Sequence, residues 1–235
     1  MYWIAAGVTL GLAAASAASL PRSVGTNRLP YARLIGSLWR LVRTEPVLRE
    51  SSLVGATLFG AFSAFWSMLI FRLEAPPLQY GSRVAGLLAL VGLAGAASAP
   101  VAGRLADRTD ARTNTRLALA MILGSFAAFA AAGHTLWGLV VGIILLDAAV
   151  QAGHVMNLSR VHALSADARN RLTTVYMVSF FLGGATGSAF AAVAWQRWGW
   201  SGVCAVGAAM PAVALVKLGM RNAESGIRAG GRTHS

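Results

Sequence analysis

Polar and hydrophobic positions along this chain segregate into long blocks rather than alternating at short range. Seven apolar blocks stand out, at 2–20, 52–71, 84–102, 117–133, 136–158, 172–195 and 202–219. A helix that crosses a bilayer needs roughly 17–25 mostly apolar residues, so each block predicts one transmembrane helix. The fourth block is short, and only His134 and Thr135 separate it from the fifth. Block 2–20 reads as a span rather than a signal peptide, because a signal peptide carries a basic region ahead of its apolar core and Met1 alone precedes this block.

The intervals between blocks carry the charge, and they carry it unequally. Arg22, Arg28, Arg33, Arg40, Arg43 and Arg49 lie in the loop 21–51, Arg104, Arg108, Arg112 and Arg116 in 103–116, and Arg160, Arg169 and Arg171 in 159–171. Lys217, Arg221, Arg228 and Arg232 lie at the C-terminal end. The alternate intervals hold only Arg72, Arg83 and Arg197. Lys and Arg accumulate in short cytoplasmic loops. The bias predicts an outside N-terminus, seven crossings and an inside C-terminus. Within the long loop, Leu34, Ile35, Leu38, Leu41 and Val42 fall on one helical face and Arg33, Arg40 and Arg43 on the other. This pattern predicts a helix on the inner membrane surface, or a linker helix packed on protein.

Composition agrees with a membrane protein. The chain is 56% hydrophobic and 12% charged, about half the charged share of a soluble domain. A net charge of +12 raises nucleic-acid binding, but that needs a basic face on a folded soluble domain. Here the cations are spent on topology, so no nucleic-acid partner is expected. The single Cys204 excludes an internal disulfide. The histidines at 134, 154, 162 and 234 lack paired metal-ligand spacing. No phosphate-cradling motif and no nucleophile–base pair is visible, so neither a cofactor nor an enzyme is expected.

Of the eight acidic residues, only Asp147 lies deep inside an apolar block. Ionisable groups inside a span are expensive and are functional candidates by default. At about 100° per residue, Asp147, Gln151 and His154 share one line on the helix, with Asn157 at its edge. The stripe predicts a proton or substrate path, since lipid would not tolerate it and histidine titrates near neutral. The alternative is hydrogen bonding that only holds helices together. On the second block Phe59, Phe62, Ser63, Trp66 and Ile70 share one face; they predict either a cavity wall or simple packing. On the sixth, Gly183 with Gly187 and Gly184 with Ser188 are small residues four apart, which permit close helix approach.

The run GRLADRTDAR at 103–112 resembles the loop signature of the major facilitator superfamily. Gly103, Leu105, Ala106, Asp107, Arg108 and Arg112 match; Asp110 stands where the family commonly has glycine, and Ala111 replaces a basic residue. The run RTEPVLRESSLVGATLFGAFSAFW is similar to the entry of the seventh span in bacterial drug- and sugar-efflux members. The segment 147–200 is similar to their tenth and eleventh spans, Asn170-Arg171-Leu172 and Phe181-Leu182-Gly183-Gly184 being its most recognisable pieces.

The resemblance implies an all-α membrane protein: a helix like span six (1–20), a cytoplasmic connector with an amphipathic helix (21–51), a six-helix C-terminal bundle (52–220) and a disordered cytoplasmic tail (221–235). It implies a cytoplasmic gate built from Gly103, Arg104, Asp107, Arg108 and Arg112, and places Phe59–Trp66 and Asp147–His154 on cavity-lining helices. The implied function is secondary active transport of a small molecule, as proton-coupled efflux from a bacterial inner membrane. The implied partners are the bilayer, the small-molecule substrate, and a separate N-terminal half or a second copy. The rival readings are a transport-inactive fragment acting as a membrane interaction partner and a retinal-type receptor. The latter is disfavoured because Lys217 sits near the inner end and the third span lacks a counter-ion carboxylate.

Overall fold

The computed structural model describes residues 2–19, 31–96 and 110–230. Its elements there are helices: α1 (Tyr2–Ser19), α2 (Tyr31–Thr44), α3 (Pro46–Glu74), α4 (Ser82–Ala96), α5 (Ala111–Ala132), α6 (Leu136–His162) and α7 (Arg169–Gly230). The chain divides into two units, residues 1–36 and 37–235. The first contains α1, a helix without a single charged residue. The second contains α3 to α7, and α2 runs across the boundary.

The apolar blocks become helices because only internal backbone hydrogen bonding satisfies a chain in hydrocarbon. Among the described residues four helical segments are long and apolar enough to cross a membrane: Pro46–Glu74, Thr113–Ala132, Leu136–His162 and Arg169–Met220. The last contains two of the predicted spans. Gly199 divides it, with φ 59° and ψ −145°, a conformation from which a Cβ is effectively barred. An arm at 169–198 therefore precedes an arm at 200–230. Shorter apolar helices cover Ala6–Ser19 and Ser82–Leu93. This is an all-α membrane protein.

The helices outrun the apolar blocks at their polar ends, where water can satisfy them. α3 begins at Pro46, well before Ser52, because proline at the first helical position lacks only a donor that would be unpaired there anyway. The predicted loop 103–116 is helical from Ala111. Asp110 accepts from the Thr113 N–H at 3.1 Å and from its hydroxyl at 3.0 Å, which is how an N-cap satisfies an orphan donor. One of the two departures from the resembled signature, Asp110, thus starts α5. Thr135 caps α6 in the same way, through Gly138 N at 3.1 Å. α7 continues to Gly230, past the predicted start of the tail at 221.

α3 is the hub of the second unit; α4, α5, α6 and α7 all touch it. The two arms of α7 run along α3 in opposite directions. Gly183 and Gly187 meet the backbone at Ala56 and Gly60, whereas on the return Met210 comes back to Gly60. The main core joins Leu58, Phe65, Ile122, Phe129, Ile143 and Leu146, all fully buried. Phe65 stacks on Phe129 with centroids 4.2 Å apart. The end of the bundle opposite Arg49 is tied by two donors: Arg72 Nε reaches Gly133 O at 3.0 Å, and Trp200 Nε1 reaches Phe129 O at 2.9 Å.

Candidate functional site

The buried arc of α6 runs through Leu139, Ile143, Leu146, Val150, Gly153 and Asn157. At 100° per residue its centre lies about 80° from Asp147, on the Asn157 side. This rotation sorts the predicted stripe. Asp147 is 6% exposed and Asn157 fully buried, His154 is half-buried, and Gln151 is exposed with Val141, Ile144 and Val155. The four side chains therefore do not share one environment. Gln151 points away from the packed face, and Asn157 donates to Gly153 O of its own helix at 2.7 Å.

Asp147 faces two other helices. Trp66 of α3 and Gly92 of α4 lie on this side of it, and Gly92 leaves the space beside both side chains. A Cβ at Gly92 would lie 2.9 Å from the Trp66 ring and 3.4 Å from Asp147 Oδ1. Neither Trp66 Nε1 nor Asp147 Oδ2 closes a hydrogen bond among the described residues, and both are buried. Buried polar atoms are nearly always paired, because an unmade hydrogen bond costs about 1–3 kcal/mol. Asp147 is thus a mid-span carboxylate with one buried oxygen left unpaired.

The aromatic face of α3 connects this point to His154. Phe59 stacks on Phe180 of α7 at 4.3 Å and lies 5.6 Å from Phe62; Phe62 is 6.0 Å from Trp66. Phe180 in turn lies 4.6 Å from the His154 ring. One band therefore runs His154, Phe180, Phe59, Phe62, Trp66, Asp147 over three helices. Ser63 sits beside it, next to Gly184, where a Cβ would come within 3.0 Å of Ser63 Oγ. Gly184 leaves room for Phe59, while Gly183 and Gly187 abut α3 backbone. His154 Nδ1 pairs with the Tyr176 hydroxyl at 3.2 Å, and Tyr176 is fully buried.

Sequence reasoning missed a second polar cluster, at the end of the bundle that holds Asn157. Arg160 Nη2 meets Glu50 Oε1 at 2.9 Å, tying α6 to α3. Ser51 Oγ, Ser52 Oγ, Asn157 Oδ1 and Arg160 Nη1 nearby are buried and lack hydrogen-bond partners among the described residues. Glu50 and Arg160 lie 110 residues apart and border apolar blocks, so each reads in sequence as an ordinary span-end charge. Tyr176 likewise reads as one more aromatic. Of the predicted gate, Gly103, Arg104, Asp107 and Arg108 lie outside the described residues, and Arg112 is placed only by its backbone in the first turn of α5.

Over 218 residues the chain is 38% identical to an Escherichia coli O157:H7 protein named Uncharacterized transporter YgaY, a match covering 93% of this chain and 55% of that protein. The chain is similar to named transporters. It is 36% identical over 206 residues to a Streptomyces coelicolor protein named Probable transporter SCO4007, covering 87% of this chain and 48% of that one. A Buchnera aphidicola protein named Uncharacterized transporter is 27% identical over 165 residues, 70% of this chain and 40% of its own. The chain spans about half the length of the curated relatives it matches. No protein-family model matches it, and no solved structure does.

Proposed function

We propose that the chain forms part of a secondary active transporter of the major facilitator type, and that it exports a small molecule in exchange for protons. The carrying observation is Asp147: a buried carboxylate in mid-span, faced by Trp66 and Gly92 from two further helices, with one oxygen unpaired. A transporter that couples to protons needs a group that gains and loses one within the membrane, and such groups are rare elsewhere because they are expensive. On this reading Asp147 carries the proton. His154, half-buried and held by Tyr176, relays it toward the end of the bundle with Asn157. The aromatic band from Phe59 to Trp66 forms the apolar wall against which a substrate rests, with Gln151 on the exposed face that completes a cavity with another half. The segment from Gly103 to Arg112 acts as the gate on the cytoplasmic side of a bacterial inner membrane.

Transporters of this kind alternate access by rocking two halves around a midplane site. The similarity to proteins about twice as long supports assigning the chain one such half. The test is efflux of ethidium and of a non-metabolised thiogalactoside from cells expressing the chain, alone and with the N-terminal portion of its relative. Activity that requires a proton gradient and disappears in Asp147→Asn is the expected result. Undiminished gradient-driven efflux in Asp147→Asn removes the carboxylate from the mechanism. Absence of efflux under every pairing leaves the chain as a membrane interaction partner.

A further inference from the structure

Two cavities flank the start of α3. One, of about 500 Å³, lies between α3 and the first arm of α7. The other, of about 390 Å³, lies between α3 and the second arm. Arg49 and Leu53 line both, so the two form neighbouring parts of one groove divided by these side chains. Its floor is apolar. Leu53, Ala56, Leu182 and Met210 line the larger part. Three of its four hydroxyls turn away: Thr57, Ser179 and Thr186 each bond a carbonyl of their own helix at 2.7–2.9 Å, while Ser52 Oγ is buried without a partner among the described residues.

One rim of the groove is cationic. Arg49 and Lys217 both line the smaller part, and both are exposed. Arg49 is steadied by the Arg43 carbonyl at 3.3 Å, and Arg43 lies 4.9 Å over the Trp39 ring on α2. Glu50, the acid that lines the same part, already pairs with Arg160. With Arg160 counted beside it, Glu50 leaves this rim an excess of positive charge. Arg49 precedes the apolar block 52–71 and Lys217 lies two residues before the end of the block 202–219, positions from which long cationic side chains snorkel to headgroup depth. The groove then descends along helices that face hydrocarbon.

We propose that this groove binds an anionic membrane phospholipid, its phosphate held by Arg49 and Lys217 and one acyl chain lying along Leu53, Ala56, Leu182 and Met210. A cationic rim at headgroup depth above an apolar channel matches that amphiphile in both charge and polarity. A free phosphate would use only the rim, and a zwitterionic lipid would bring its own cancelling cation. Basic pockets between membrane helices select anionic headgroups, and each Lys or Arg near the surface is worth about 1 kcal/mol.

The test is binding of phosphatidylglycerol and of phosphatidylcholine with identical chains to the purified chain in neutral detergent, read by native mass spectrometry. Two cations predict a preference of about thirtyfold for phosphatidylglycerol. Arg49→Gln with Lys217→Gln should bring it down to the phosphatidylcholine level, and Arg49→Lys should keep it. Equal binding of the two lipids by the natural chain overturns the proposal, as does a preference that survives the double substitution. Displacement of phosphatidylglycerol by millimolar inorganic phosphate would assign the rim to free anions instead and equally overturn it. If the double variant cannot be purified, the lipid comparison and the phosphate competition on the natural chain decide.

Discussion

Gly183→Ala adds a single methyl group where α7 meets α3. The methyl would meet the carbonyl and Cα of Ala56, which is helix backbone and cannot rotate away. The same interface continues one turn on, where a Cβ at Gly187 would meet the backbone of Gly60 and one at Gly60 would lie 3.0 Å from Gly183 O. The two helices must therefore separate along this stretch. Overpacking of this kind costs about 1–3 kcal/mol, offset by about 0.5–1 kcal/mol because alanine is the better helix former. The net loss is up to about 2.5 kcal/mol, which lowers Tm by up to about 10 °C for a chain of this size. Gly124 on α5 supplies the control, since a Cβ there would have nothing within 4 Å. At that position alanine brings only the helix preference and should raise Tm by about 1–4 °C. Thermal unfolding of the detergent-solubilised protein, followed by circular dichroism, reads both. Equal shifts in the two variants, or a rise in Gly183→Ala, would refute the close crossing as the determinant.

Three further outcomes follow from the packing. Glu50→Leu or Arg160→Leu alone leaves a poorly solvated charge and should destabilise by about 2–4 kcal/mol, whereas the double substitution should recover most of the loss; additive losses in a double-mutant cycle would contradict the pairing. Tyr176→Phe removes the hydroxyl that holds His154 Nδ1 and should cost about 1 kcal/mol. If His154 lies on the proton path, the same change shifts the pH profile of transport, and an unaltered profile would remove the Tyr176 bond from that path. Cys204 is 4% exposed, so maleimide should label it only after denaturation, because buried structural thiols are inert; rapid labelling of the folded protein would contradict its position.

Much of the fold was legible along the chain because bilayer thickness and backbone hydrogen bonding impose helix length and type. Apart from Gly133, a turn residue at the end of the fourth, all seven apolar blocks are helical wherever they are described, and the amphipathic pattern of 31–44 is a helix. The deep carboxylate was equally legible, since the only acid inside an apolar block needs no partner to be conspicuous. Periodicity alone also placed Asp147, Gln151 and His154 on one line. It could not say which side of that line is packed, because rotation of α6 about its axis is decided by what fits against α3, α4 and α5. That rotation buries Asp147 against Trp66 and Gly92 while leaving Gln151 exposed. The Glu50–Arg160 pair, the His154–Tyr176 bond and the approach of Gly183 to Ala56 join residues far apart in the chain. Hydropathy carries no information about such pairs. They exist only once helices of similar composition have chosen neighbours by shape, and shape complementarity between side chains is a property of the assembled bundle.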